Sequence, residues 1–304
     1  MVYTLTLNPA IDYVLYAPDY TSGKINRSNA EELLPGGKGI NVSLVLKSLG
    51  AETKALGFCG GETGYVLLNL LKKEGLDTDF VRVNGSTRIN VKIKSLCETD
   101  INASGPLITT ADVDKLLERI SRIDDGDWLV LAGSAAPGLS THIYCDILEK
   151  IKHKNVNIVV DAAKDLLTNT LKYRPYLIKP NNFELSDIVG KNLETDEEIT
   201  DGARKLRKMG ARNVLVSLGE GGTILVCENG DVIKTDAPSG AVVNTTGAGD
   251  SAVAGFIFGM IEKNDISYAQ KISVCAGSAT AFSQGLATSE EIMDLYNKNF
   301  SEGI

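Results

Sequence analysis

Val242-Val243-Asn244-Thr245-Thr246-Gly247-Ala248-Gly249-Asp250-Ser251-Ala252-Val253-Ala254-Gly255-Phe256 passes from a β-like run through two glycines and an acid into an apolar helix. Glycines let a ligand approach the backbone closely, and the first turn of a helix offers unpaired N–H groups at the positive end of its dipole. Phosphate oxygens dock on such a cradle. A carboxylate beside bound phosphate is repelled by it unless its task is to take a proton from an incoming hydroxyl, which phosphoryl transfer to an alcohol requires. Taken alone, Gly-x-Gly-Asp reads more readily as a core helix whose start is stabilised by an acid. The Gly-Lys-Ser or Gly-Lys-Thr of a Walker loop and the Rossmann Gly-x-Gly-x-x-Gly spacing are absent.

Upstream, apolar runs at 2–7, 54–59, 128–132, 156–161, 176–179 and 214–217 alternate with helical patterns at 39–49, 65–73, 143–151 and 203–209. This rhythm predicts an α/β chain with a mostly parallel sheet covered on both faces by crossover helices. Two segments interrupt it, about 12–34 and 87–106. In the second, Arg88-Ile89-Asn90-Val91-Lys92-Ile93-Lys94 alternates polar and apolar with period two, as suits a small sheet with one exposed face. Together the two segments are expected to form a lid over the main sheet. The C-terminal third reads as helices at 248–261, 267–283 and 289–297. With no linker dividing the chain, residues 1–304 are read as one domain.

Composition narrows the functional classes. The chain has 304 residues, 43% of them hydrophobic, which is enough for a substantial core. A net charge of -8 gives no general field to hold nucleic acid, so an anionic ligand must meet a local cluster of cations. Five well-separated cysteines and two histidines argue against a zinc site or a disulfide framework. The first residues show no basic-then-apolar leader, and the apolar stretch 252–261 is about half the roughly 20 residues needed to cross a bilayer. A cytoplasmic protein without membrane partners is expected.

A second glycine turn, Leu34-Pro35-Gly36-Gly37-Lys38-Gly39-Ile40-Asn41-Val42-Ser43, opens the helical pattern at 39–49. Asn41 in the first turn can both donate to and accept from a sugar hydroxyl, and Lys38 adds positive charge beside it. A surface turn with a solvated lysine would look the same. Two glycine-rich helix openings in one α/β chain nevertheless favour an enzyme with two ligands.

Together the Gly-Gly motif at 36–39 and Asn-Thr-Thr-Gly-Ala-Gly-Asp-Ser at 244–251 resemble the PfkB (ribokinase-like) carbohydrate kinase family. Intermediate landmarks match in order: Ala132-Gly133-Ser134, Val160-Asp161, Lys179-Pro180-Asn181-Asn182-Phe183-Glu184 and Val216-Ser217-Leu218-Gly219-Glu220-Gly221-Gly222. One departure is Ala135-Ala136-Pro137, where the family usually has a Ser-Leu-Pro-Pro-Gly turn. The opening Thr4-Leu5-Thr6-Leu7-Asn8-Pro9-Ala10-Ile11-Asp12 and the Gly-Gly-Lys-Gly-Ile-Asn form look like the hexose-phosphate branch. The segments at 87–92 and 98–106 are similar to bacterial 1-phosphofructokinases, with the tagatose-6-phosphate kinases next.

The resemblance implies a ribokinase-like three-layer α/β/α sandwich with a small β-sheet lid, using ATP and Mg²⁺ to phosphorylate C6 of fructose 1-phosphate. Asp250 would be the general base, with the Gly247, Ala248 and Gly249 amides stabilising the transferring phosphoryl. Asp12, Gly36, Gly37, Lys38, Asn41, Arg88, Asn90 and Ser134 would bind the sugar phosphate, Arg88 by a bidentate grip. Lys24 is a further cation within reach of this role. Lys92 equally reads as part of a charged lid face. Lys179, Asn181, Glu184, Ser217, Gly219, Glu220, Gly221, Gly222 and Gly249 would serve the nucleotide, with Glu184 acting on the Mg²⁺-phosphate complex indirectly and residues 275–278 against the adenine. Without the resemblance, Asn181 and Glu184 form a helix-capping pattern. An exposed lid edge invites pairing with a second copy of the chain. Two other classes remain: a non-catalytic sugar-phosphate sensor, which the intact Gly-Ala-Gly-Asp disfavours, and a nicotinamide oxidoreductase, which the missing Rossmann spacing disfavours.

Overall fold

The computed structural model describes residues 1–300, so the last four residues of the domain read as 1–304 lie outside the described ones. The strands, in chain order, are β1 (Val2–Thr6), β2 (Ala10–Tyr16), β3 (Ala30–Gly36), β4 (Thr53–Gly60), β5 (Asp77–Val83), β6 (Arg88–Lys94), β7 (Thr99–Asn102), β8 (Trp128–Ala132), β9 (Asn157–Asp161), β10 (Leu177–Ile178), β11 (Asn213–Ser217), β12 (Thr223–Val226) and β13 (Val232–Thr235). Nine of them form one sheet in the order β13-β12-β11-β10-β9-β8-β1-β4-β5. It is parallel from β5 to β11, and an antiparallel hairpin, β12 and β13, finishes one edge.

The central strands are apolar at successive positions because each face is covered. Along β8, Leu129 and Leu131 join one core while Trp128, Val130 and Ala132 join the other. The first core is roofed by helices that include Thr110–Ile120, Ile143–Ile151 and Asp196–Lys208, the second by Lys38–Ser48, Ala248–Lys263, Ile266–Phe282 and Ser289–Phe300. This is the α/β/α sandwich expected. A third cluster, with Ile11, Ile40, Leu67 and Leu71, seats the helix Gly61–Lys73 beside Lys38–Ser48.

The remaining four strands form a separate sheet in the order β3-β2-β6-β7, built from the two segments read as a lid. β2 runs antiparallel to β3 and parallel to β6, a register that sets Asp12 beside Leu34 on one side and Asn90 on the other.

Several elements differ from the sequence reading. The helix expected at 203–209 begins at Asp196, two turns earlier, where Asp196-Glu197-Glu198 lacks an apolar face and a Thr195–Glu198 capping box fixes the start. The strand expected at 176–179 contracts to Leu177–Ile178. β5 and the helix Thr110–Ile120 were not anticipated. Asp77-Thr78-Asp79-Phe80-Val81-Arg82-Val83 mixes charge with apolar positions on an edge strand, and the helix is fixed by a Thr109–Asp112 capping box and three buried positions, Asp112, Leu116 and Ile120.

Candidate active site

A cleft of about 1250 Å³ opens where the parallel strands end. Thr6, Ala132 and Ser217, at the carboxyl ends of β1, β8 and β11, line it, and so do Lys179 after β10 and the starts of two helices. Ligands of open α/β sheets bind outside such carboxyl ends.

Asp250 lies in the first turn of Ala248–Lys263, is 5% exposed, and lines this cleft together with Asp12 and Asn41. Asn41, three residues into its own helix, donates from Nδ2 to Asp250 Oδ2 at 2.8 Å. The two glycine turns, 209 positions apart at these residues, therefore meet at one carboxylate. Burial, and then the negative charge of Asp161, pushes the Asp250 carboxyl up to about 7, against the pull of Lys38, the Asn41 hydrogen bond and Lys179.

Behind Asp250 is a buried charge cluster. Asp161, at the end of β9 and 1% exposed, takes Lys38 Nζ at 3.3 Å on both oxygens and Lys179 Nζ at 3.5 Å on one. Burial would raise the Asp161 carboxyl, but Lys179 and Lys38 together hold it below the ordinary carboxylate range. Gly247 starts the helix with φ of 83°, and a Cβ on Gly249 would stand 3.2 Å from Lys179 Nζ. The glycine turn thus admits an ammonium to the positive end of this helix, whose Ala248 N–H is turned to Thr245 O at 3.2 Å.

On the lid side, Asp12 accepts from Asn90 Nδ2 at 2.9 Å and pairs with Lys92 at 3.8 Å. Arg88 lines the cleft, but three of its N–H groups go to main-chain oxygens: Nε and Nη2 to Asn8, Nη1 to Ala103. Its plane is therefore fixed, with two of the five guanidinium N–H groups left for a ligand. Asn181 and Glu184 form the capping box that the sequence pattern allowed, at 2.8 and 2.9 Å, while both line the cleft.

Gly37, Lys38, Ser134, Ser217, Gly219, Glu220, Gly222, Gly247, Ala248 and Gly249 also line the cleft. Gly36, Asn90 and Gly221 are not among its lining residues; Gly36 lies against the Asp12 carboxylate, where a Cβ would come within 2.8 Å, and Asn90 holds that carboxylate from the neighbouring strand. Of residues 275–278, Gly277 and Ser278 line the cleft and Cys275 is fully buried in the core. Lys24 sits in the exposed loop between β2 and β3, and Lys92 supports Asp12. Sequence reading missed Thr6, Asn8 and Phe282 as lining residues and the part played by Asp161. Val160-Asp161 is a landmark of the resemblance, an acid at the end of an apolar run, but the sequence reading gave it no role.

No group of three or more His, Cys, Asp or Glu side chains able to hold a metal ion occurs among the described residues. Asn181 and Glu184 are polar residues lining the cleft near its lysines.

With this geometry the chain matches the pfkB family carbohydrate kinase model over residues 5–293, and it belongs to that family. It is 42% identical to a 1-phosphofructokinase of Bacillus subtilis strain 168, over 97% of each chain. It is 37% identical to a D-tagatose-1-phosphate kinase of Bacillus licheniformis, over 94% of each. Among solved structures, phosphofructokinase-2 from Escherichia coli in complex with fructose-6-phosphate superposes with a TM-score of 0.92 at 27% identity, covering 98% of both chains. The fold is the ribokinase-like one, and the chain is a sugar kinase by family.

Proposed function

We propose that the chain, acting as one kinase domain with its lid, transfers the γ-phosphoryl of ATP to the C6 hydroxyl of fructose 1-phosphate, giving fructose 1,6-bisphosphate and ADP. The observation that carries this reading is a single buried carboxylate, Asp250, at a glycine-opened helix start in the cleft it shares with Asp12 and Asn41. The new bond joins O6 to Pγ, the bond from Pγ to the β,γ-bridging oxygen breaks, and the O6 proton passes to Asp250. The Gly247, Ala248 and Gly249 amides and the Lys179 ammonium meet the charge on the transferring group. Asp12, held by Asn90 and Lys92, and Asn41 orient the ketose hydroxyls, and Arg88, Lys38 and Ser134 take the phosphate end. Ser217, Gly219, Glu220 and Gly222 hold the nucleotide, with Asn181 and Glu184 beside the Mg²⁺-phosphate, where the ion would polarise the phosphoryl oxygens. A closed lid keeps water from competing with O6.

ADP release on fructose 1-phosphate, tagatose 1-phosphate, tagatose 6-phosphate, fructose 6-phosphate and free fructose tests the substrate. Fructose 1-phosphate is expected to give the highest kcat/KM, and Arg88→Met to raise its KM about tenfold or more, the scale of a lost charge-assisted pair, with the KM for ATP unmoved. A preference for fructose 6-phosphate overturns the assignment. The alternative, phosphorylation of tagatose 6-phosphate, shares its sugar with the Bacillus licheniformis relative, whose name however sets the phosphate at C1.

By register Leu33, Ile89 and Ile101 share one face of the small sheet and are exposed at 47, 40 and 58%, and β3 and β7 are its open edges. Such a patch on open strands suits a second copy of the chain. Sedimentation should find a dimer that Ile101→Lys dissociates. A wild-type monomer at micromolar concentration refutes the pairing.

A further inference from the structure

We propose that Thr6 is a positioning residue for the transfer, acting through the start of the helix Lys38–Ser48 on Asn41 and through Asn41 on Asp250. The proposal rests on the reading of the cleft as a sugar-phosphate kinase site. The helix begins after Gly37, which has no side chain to cap it. A helix start so deprived leaves first-turn N–H groups to find partners elsewhere.

Thr6 supplies one from the neighbouring strand. Its Oγ1 accepts from the Ile40 N–H at 3.1 Å, in a buried contact between residues 34 positions apart. The glycine turn is wrapped tightly on this side chain: a Cβ at Gly37 would stand 2.6 Å from Thr6 Cγ2, and one at Gly39 would stand 2.6 Å from Thr6 Oγ1. Hydroxyl and methyl therefore each bear on a different residue of the turn.

Thr6 itself has little freedom to move. It is 3% exposed and is the last residue of β1, paired with Gly57 of β4 on one side and Ala132 of β8 on the other. From this fixed point the chain of contacts is short. Ile40 N–H rests on Thr6, Asn41 N–H bonds Gly37 O at 2.9 Å, and the Asn41 side chain reaches Asp250 at 2.8 Å. Lys38, in the same turn, reaches Asp161. A helix start shifted by a few tenths of an ångström would loosen both contacts together, and small misplacements at a reacting centre cost rate steeply.

Thr6→Val keeps the shape and removes the acceptor, whereas Thr6→Ser keeps the acceptor. In Thr6→Val, kcat is expected to fall about tenfold with the KM for ATP unchanged, and Thr6→Ser to stay within about twofold of wild type, since one buried donor left unpaired separates them. A second readout needs no substrate: the ¹³C NMR titration of the Asp250 carboxyl, assigned by its disappearance in Asp250→Asn. The groups facing that carboxyl are Asp161 at the end of β9, Lys38 and Asn41 on the helix Lys38–Ser48, and Lys179 after β10. The Asn41 N–H favours the ionised form, so loosening it moves the titration to higher pH in Thr6→Val and leaves it in place in Thr6→Ser.

Thr6→Val with wild-type kcat and an unmoved titration overturns the proposal. So does Thr6→Ser failing as badly as Thr6→Val, which would mean that the methyl packs and the hydroxyl does nothing. If Thr6→Val does not fold, Thr6→Ala, which adds no bulk, is expected to show the same upward shift, and its absence counts against the proposal equally. A wild-type protein that phosphorylates no sugar phosphate sinks the functional reading instead, and the carboxyl titration still decides the case of Thr6.

Discussion

Asp250→Asn is expected to lower kcat by at least about a hundredfold, a typical general-base contribution, with the KM of each substrate changed by no more than a few fold. The amide has the size of the carboxylate and can still accept from Asn41 Nδ2 through its oxygen, so the cleft keeps its shape. It has no basic oxygen to take the O6 proton. ADP release under saturating substrates measures this directly, and a near-normal kcat would remove Asp250 from the role of base.

The same residue ties activity to pH. Its carboxyl is pushed up to about 7, first by burial and then by Asp161, and a general base works only when ionised. Wild-type kcat/KM should therefore fall about tenfold for each pH unit below about 7, while the residual activity of Asp250→Asn lacks this limb. Stability moves the other way. A carboxyl whose folded value lies above its unfolded one contributes stability that is fully present below the unfolded value of 3.8 and is lost as pH rises through about 7. At pH 8 the wild type buries a charge that Asp250→Asn does not. The variant's Tm should then equal or exceed the wild-type value at pH 8, and the gap should close toward pH 4. The ionised Asp250 that the proposed transfer requires is thus the form that costs the fold stability.

What could be read in the sequence was what is local in the chain. Strands such as Trp128–Ala132, and the Val214-Leu215-Val216 centre of Asn213–Ser217, are buried on both faces and show as unbroken apolar runs. β6 shows in sequence as alternation, but its burial departs from that pattern, since Asn90 is buried and Ile89 is exposed. The helix Asp196–Lys208 was cut short because its first turn is held by a capping box and charge, so apolar spacing starts late. The antiparallel hairpin of β12 and β13 follows from a turn, and the α/β rhythm carries no sign of a reversal at a sheet edge. In the site, both glycine turns are contiguous motifs and could be read as ligand-binding openings. That they converge, through Asn41 on Asp250, is a contact between residues 209 positions apart and has no local trace. Asn181 and Glu184 show why a local pattern can carry two meanings, since they make the helix cap and also line the cleft.

Asp161 was least legible, and its removal should have the second large effect. Its carboxylate alone is unremarkable in sequence; its importance comes from Lys38, 123 positions earlier, and from Lys179, which arrive from different elements. Both lysines also lower the Asp250 carboxyl, while Asp161 raises it. Asp161→Asn leaves two ammonium groups, one of them 4% exposed, without their counter-charge. Breaking a buried pair by removing one partner typically costs about 3–5 kcal/mol, so chemical denaturation should show a loss of that order. Catalysis should fall by about tenfold to a hundredfold, the scale of misplaced positioning groups, because Lys38 and Lys179 lose the group that aims them. The acid limb of kcat/KM should move to lower pH, since the negative neighbour is gone and the two positive ones remain. A uniform loss of active protein would leave that limb where it was. The direction of the shift therefore separates electrostatic coupling of Asp161 to Asp250 from simple damage to the fold, and a limb that stays in place or rises would break the link between the two carboxylates.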